Sequence, residues 1–225
     1  NFVYNIRDYL SIERGLSVNC ICSYIIVVQK LEKFLTEEKK QLQSSSQKDI
    51  TNFLREESRK KLSSRTRARV VASLRQFYGY LENRKLIETN PMQMIEAPKI
   101  EKALPDFLSQ DEIRKLFAAF REENLLELRD KTMFEFLYSA GLRISEACML
   151  LLPDVDRENQ VLTIKGKGGR ERLVPYGEVA SRLLDQYIDK ARAEILNQYE
   201  SEYVFVSKKG GALSRKSAWR LLKRY

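Results

Sequence analysis

Tyr138-Ser139-Ala140-Gly141-Leu142-Arg143-Ile144-Ser145-Glu146 is the stretch on which the reading of this chain turns. Its companion is Ile164-Lys165-Gly166-Lys167-Gly168-Gly169-Arg170-Glu171-Arg172-Leu173-Val174-Pro175. In the first, an apolar helical segment (Arg129 to Ser139) is broken by Gly141, and Ser145 is placed to cap a short helix through Leu152, which Pro153 ends. In the second, Val161–Ile164 and Arg170–Val174 flank a Gly-rich turn, the signature of a hairpin. A helix, a sharp turn carrying an arginine, and a hairpin tipped by a lysine therefore follow one another.

Working outward, the segment after Pro105 opens on Ser109-Gln110-Asp111-Glu112, a capping box. Ile113, Leu116, Phe117 and Phe120 follow at helical spacing. Beyond the hairpin, Ala180 to Gln198 reads as a helix and Tyr203–Val206 as a short strand. Gly210-Gly211 reads as a turn, and Ser214 caps a last helix striped with Ala218, Leu221, Leu222 and Tyr225. Upstream the chain reads as four helices: Phe2 to Arg14, one capped by Ser17 and running to Lys40, Asp49 to Lys60, and one capped by Ser63 or Ser64 and running to Asn83. Asn90-Pro91 and Ala97-Pro98 break the pattern, so 84–106 reads as an extended linker. The expected division is 1–83, a helical domain; 84–106, the linker; and 107–225, a second domain. The fold class is mainly α with a small antiparallel β-sheet.

The chain has 225 residues, with 43% apolar and a net charge of +9. The charge is uneven. Residues 1–105 carry 19 Lys and Arg against 12 Asp and Glu, and residues 106–225 carry 21 against 19. A basic N-terminal half is the footprint expected for a polyanion, most often nucleic acid. No run of eighteen apolar residues occurs, and no charged-then-apolar leader opens the chain at Asn1, so a cytoplasmic protein without a membrane partner is expected. Three cysteines, Cys20, Cys22 and Cys148, do not make a disulfide framework, and Cys20-Ile21-Cys22 is not a zinc spacing. With no His in the chain to complete a site, no metal centre is expected.

The fourth helix carries the clearest binding pattern. With Val70 at zero and 100° per residue, Leu74, Phe77 and Leu81 lie within about 40° of it, forming a core stripe. Arg65, Arg69 and Gln76 lie between about 220° and 260°, on the opposite face. Such a helix suits the major groove, where Arg takes guanine or phosphate. Arg67, nearer the core edge, could reach a phosphate, and Lys60 and Lys61 raise the local field. A solvated basic face is the competing interpretation. The second helix is apolar on more than one side (Ile21 to Leu31), which implies burial on several sides or an apolar patch for a partner.

The two motifs offer parts of one chemistry. In metal-free phosphodiester transfer, negative charge builds on non-bridging oxygens, which a guanidinium stabilises because it stays charged and binds two oxygens. The leaving oxygen needs a proton, which a mobile Lys can supply. Arg143 suits the first role, and Lys167, between Gly166 and Gly168, the second. Glu146 could orient Arg143; read by itself, the pair is an ordinary i,i+3 ion pair.

Leu128-Arg129-Asp130-Lys131, Tyr138 to Glu146, and Gly166 to Pro175, in this order and spacing, resemble the catalytic-domain blocks of tyrosine recombinases of the Xer type. The four-helix region looks like that family's SAM-like core-binding domain. The resemblance implies that Arg143 is the first catalytic Arg, Glu146 its acidic support and Lys167 the general acid. It implies double-stranded DNA with a pseudo-palindromic site as partner, and four protomers on two duplexes. It also implies strand exchange through a 3′-phosphotyrosyl link without cofactor, and brings in a DNA translocase as a further partner. The family's His-x-x-Arg box and nucleophilic Tyr have no counterpart here. Tyr225 lies on an apolar stripe and is rejected as nucleophile. The expectation is the first part of a mixed α/β catalytic domain, truncated at its C-terminus, that binds DNA but does not cleave it. A recombinase-derived DNA-binding protein, a mobile-element integrase and an interaction protein are the alternatives.

Overall fold

The computed structural model describes residues 2–60, 62–99, 107–166 and 169–225, and side chains from residue 5 onward. The chain divides into two units, Asn1–Pro105 and Asp106–Tyr225.

The first unit is helical. Helix α1 (Phe2–Asp8) runs into a single π-helical turn, Tyr9–Glu13, followed by α2 (Val18–Glu37), α3 (Gln47–Arg59) and α4 (Ser64–Asn83). Polar caps set two of the starts. Ser46 Oγ accepts the backbone N–H of Asp49, whose carboxylate in turn takes the N–H of Ser46 at 2.9 Å, so α3 opens earlier than Asp49. Ser63 Oγ accepts the N–H of Thr66 at the head of α4. Ser17 stands at the start of α2 in extended backbone, but its hydroxyl donates to Cys20 Sγ at 3.2 Å instead of capping an N–H. Leu10, Leu31, Leu35, Ile50, Leu74, Phe77 and Leu81 form the fully buried centre. On α2, Val27, Val28 and Leu31 are buried, while Val18 and Ile26 are exposed.

Residues 84–95 do not extend as a linker. Met92 is buried, Ile87 and Ile95 pack against the same core, and Arg75 Nη2 donates to the Ile95 carbonyl at 2.5 Å. Helix α4 ends at Asn83, before either proline, and Lys85 turns the chain with φ +55°; the apolar side chains that follow are worth more in the core than in water.

The second unit places helices around a small sheet. Helices α5 (Gln110–Ala118), α6 (Leu125–Ser139) and α7 (Ile144–Met149) precede strands β1 (Val155–Asp156), β2 (Val161–Lys165) and β3 (Glu171–Pro175). The three strands are antiparallel in the order β1-β2-β3. Helix α8 (Glu178–Gln186) continues through a π-helical stretch, Tyr187–Arg192, into α9 (Ala193–Leu196), and α10 (Arg215–Leu222) ends the chain's ordered elements. Ser109 and Glu112 form the reciprocal cap of α5. Asn124 caps α6, accepting the N–H groups of Leu126 and Glu127. Met133, Phe136, Leu162, Leu183, Tyr187 and Phe205 are fully buried around the sheet.

Three further local expectations are corrected. Helix α7 does not run through Leu152 to Pro153: it ends at Met149, and Leu152–Asp154 forms a separate 3₁₀ turn with Pro153 inside it. Ser145 does not cap α7; Arg143 holds the cap position in extended backbone, and the Arg143 carbonyl accepts the first helical bond from Ala147. Tyr203–Val206 is not a strand but carries two isolated bridges, Leu151 with Tyr203 and Val206 with Ala212. The Val204 N–H donates to the Leu150 carbonyl at 2.8 Å, and side chains rather than a ladder satisfy most of the rest. The Tyr187 hydroxyl donates to the Val204 carbonyl at 2.8 Å and accepts from the Val206 N–H, while Arg192 and Arg129 donate to the carbonyls of Tyr203 and Val206.

Candidate active site

Gly141 makes the site possible. Its φ of +61° lies in the left-handed region, which lets the chain reverse directly after α6. Leu142 then plugs into the core, only 5% exposed, and fixes where Arg143 begins. The Arg143 side chain projects outward, 74% exposed.

Glu146, one turn into α7, reaches back to it twice. Its Oε2 accepts the Arg143 backbone N–H at 2.8 Å, and its Oε1 accepts from Arg143 Nη1 at 2.8 Å. The same carboxylate is gripped from the sheet. Arg172 on β3 donates from Nη1 to Oε1 at 3.0 Å and from Nη2 to Oε2 at 2.8 Å. Glu146 is thus nearly enclosed and shared by two guanidinium groups. Its carboxyl is held down at about 2, first by the Arg172 hydrogen bonds and then, against the cost of burial, by those of Arg143. A group so charged stays an acceptor across the physiological range.

Arg172 was not singled out from sequence, although a signal existed. On a hairpin with period-two alternation, Arg172 shares a face with Val174 and lies opposite Ile164, so it points inward while Glu171 and Leu173 point out. Lys167, the expected proton donor, and Lys61, an expected DNA contact, lie outside the described residues.

Tyr225, set aside as nucleophile because of its apolar stripe, packs against the core of the second unit. Its ring packs on Phe120 with centroids 4.0 Å apart, and its buried hydroxyl has no hydrogen-bond partner among the described residues. Burial raises its pKa above the ordinary phenol value, the wrong direction for a nucleophile.

In the first unit, Arg65 and Arg69 stand exposed on α4, opposite the buried Val70, Leu74, Phe77 and Leu81. Gln76 is half-buried on that side. Arg67 is also half-buried; its Nη2 donates to Ser64 Oγ at 3.2 Å, and its Nε is buried without a partner among the described residues. Lys60 is occupied differently from the expectation, since its ammonium lies 2.5 Å from the buried Glu57 carboxylate. Arg65 and Arg69 make no ion pair among the described residues, which leaves their guanidinium groups open to an external anion.

A second basic face was missed. Between Tyr203 and Tyr225 the chain has seven Lys and Arg and no acid. On α10 and just after it, Arg215, Lys216, Arg220, Lys223 and Arg224 are exposed, opposite the buried Ala218. A cleft of about 450 Å³ beside them is lined by Lys208, Arg220 and Arg224. The signal in the sequence is the run of basic residues without an acid on the reverse of the stripe of Ala218, Leu221 and Leu222. Among the described residues, no group of three His, Cys, Asp or Glu is placed to hold a metal, and no helix is long and apolar enough to cross a membrane.

Comparison with known proteins adds three findings. The phage integrase family model matches residues 106–225, and the model of the phage integrase N-terminal SAM-like domain matches residues 7–85. Tyrosine recombinase XerD of Shewanella oneidensis is 35% identical over 97% of this chain and 73% of its own length. Tyrosine recombinase XerC of Bacillus subtilis is 33% identical over 99% of this chain and 74% of its own. Among solved structures, a lambda integrase dimer bound to a COC′ core site superposes with a TM-score of 0.70 at 19% identity, over 99% of this chain and 61% of that one. XerH bound to its palindromic difH substrate, a post-cleavage complex, gives 0.68 at 21%, over 89% and 60%. These two likenesses concern the fold.

Proposed function

The chain belongs to the phage integrase family of tyrosine recombinases, with Xer recombinases among its relatives, and on that premise we propose that it binds duplex DNA and supplies half of a phosphoryl-transfer site. The observation that carries this reading is the arginine at the head of α7: an exposed guanidinium whose backbone and side chain are both tied to one nearly enclosed carboxylate. Arg143 has free donors turned outward while one amino group is anchored, the arrangement needed to meet a phosphate in a set orientation. Lys167, which follows β2 in sequence, delivers a proton to the leaving 5′-oxygen. Metal is not required for these two roles, since the charge on the non-bridging oxygens is met by guanidinium.

DNA is held through α4, with Arg65 and Arg69 toward bases or phosphates and Gln76 and Arg67 beside them. The basic face of α10 adds phosphate contacts in the second unit. The recombining assembly is four protomers on two duplexes at a pseudo-palindromic site, acting in the cytoplasm in an Xer-like reaction. The nucleophile is a tyrosine that these 225 residues do not supply, and the His-x-x-Arg groups are likewise absent from them. The chain as given therefore binds DNA without forming the 3′-phosphotyrosyl link.

Incubation with a nicked duplex tests this reading. Binding should weaken steeply with added salt, because each neutralised phosphate releases counterions. No covalent protein–DNA adduct should survive denaturing electrophoresis. An adduct formed by these residues alone would overturn the assignment of roles, and salt-insensitive binding would favour an interaction protein instead.

A further inference from the structure

Arg172 has no role in the chemistry described so far, yet it makes the two-point contact on which Glu146 depends. The i,i+3 pair between Arg143 and Glu146 is by itself a weak device. One partner is 74% exposed, and exposed pairs on a single helical turn contribute little and hold no fixed geometry. Helix α7 is only six residues long, so it adds little rigidity. What orients the carboxylate is the fork of Arg172, two parallel N–H to O bonds at 3.0 and 2.8 Å, one to each oxygen. Arg172 is itself set by the sheet: it pairs with Ile164 across the β2–β3 register, on the same inner face as Leu162 and Val174. A path of fixed geometry therefore runs from the sheet through Arg172 and Glu146 to Arg143.

We propose that Arg172 is a positioning residue for phosphoryl transfer, holding Glu146 so that Glu146 presents the Arg143 guanidinium in one orientation. The inference rests on the reading that Arg143 meets the reacting phosphate. Both terminal nitrogens of Arg172 are engaged by Glu146, so it acts through that carboxylate and not on the phosphate. The strands that frame the hairpin and the arginine at the head of α7 are coupled in this way, although 26 residues separate Arg172 from Glu146 in sequence.

The experiment is side-chain NMR on the ¹⁵N-labelled chain. The Nε–H signal of Arg143, assigned by its loss in Arg143→Lys, reports the motion of its guanidinium. In the unmodified chain it should be ordered. In Arg172→Gln it should become flexible, with an order parameter below about 0.6, while the backbone amides of β2 and β3 keep their shifts. Arg172→Lys retains the charge but not the fork, and should also release Arg143. Equal order in the unmodified chain and in Arg172→Gln, or full restoration by Arg172→Lys, would overturn the proposal. If Arg172→Gln disturbs the sheet, Arg172→Lys carries the test alone, with the same two outcomes. Duplex binding is measured on the same samples and should not change in either variant. Failure of the unmodified chain to bind duplex would overturn the proposed function instead, and would leave the NMR result to decide the clamp.

Discussion

Two arginine sets in this molecule stand in different surroundings. On α4, Arg65 and Arg69 extend from a helix whose other face is core, with no carboxylate paired to either among the described residues. At the head of α7, Arg143 is tied to Glu146, which is tied in turn to Arg172. An unpaired guanidinium on a rigid helix offers affinity: it gains most from an incoming phosphate or base, and pays for it in salt sensitivity. A tethered guanidinium offers geometry, because part of its hydrogen-bonding capacity is spent on orientation before any ligand arrives. On the proposed reading, the same residue type serves recognition in one unit and chemistry in the other.

The sharpest way to break the comparison is to remove one set at a time. Arg65→Ala with Arg69→Ala should weaken duplex binding by at least about 2 kcal/mol, a factor of roughly thirty, and flatten the salt slope by about 2. Arg143→Ala should flatten that slope by only about 1 and cost far less affinity. Fluorescence anisotropy over a salt series measures both. Equal losses from the two variants would erase the distinction.

The tether is tested next by acid. Glu146 is held at about 2 against an ordinary value of 4.5, chiefly by Arg172. A depressed carboxyl stabilises the fold above its unfolded value and loses that contribution as pH falls through its folded one. The second unit should therefore lose stability between pH 4.5 and about 2, and Glu146→Gln should melt below the unmodified chain at pH 7 but equal to it near pH 2. Asp49 in the first unit, held at about 2 from 3.8 by Lys40, should behave the same way in its own unit. Thermal melts across that range, with Asp49→Asn alongside, separate the two.

The smallest effect contrasts two buried tyrosine hydroxyls. The Tyr78 hydroxyl lies 2.6 Å from Ser45 Oγ, so Tyr78→Phe should cost about 1 kcal/mol. The Tyr225 hydroxyl is buried without a partner among the described residues, so Tyr225→Phe should be neutral or stabilising by up to about 1 kcal/mol. Chemical denaturation distinguishes the signs. A large loss from Tyr225→Phe would show that its hydroxyl has a partner after all.

Local signals in the chain were enough for most elements. The caps Ser63, Ser109 and Ser214, the break at Gly141, and the alternation on both sides of the Gly-rich turn act within a few residues, and the helices and hairpin stand where these place them. The face of α4 that carries Arg65 and Arg69 follows from periodicity alone, since a core stripe on one side dictates what lies opposite. Other features depended on partners far away in sequence. Tyr203–Val206 has the composition of a strand, but Tyr187, Arg192 and Arg129 take up its backbone groups, so no ladder forms. Residues 84–95 look like a linker and instead fold back, because Met92 and Ile95 find a core made by helices that precede them. Above all, the link from Arg172 to Glu146 belongs to the tertiary structure. Sequence spacing could pair Glu146 with Arg143 one turn away, but only the tertiary structure brings the second guanidinium, that of Arg172 on β3, to the same carboxylate.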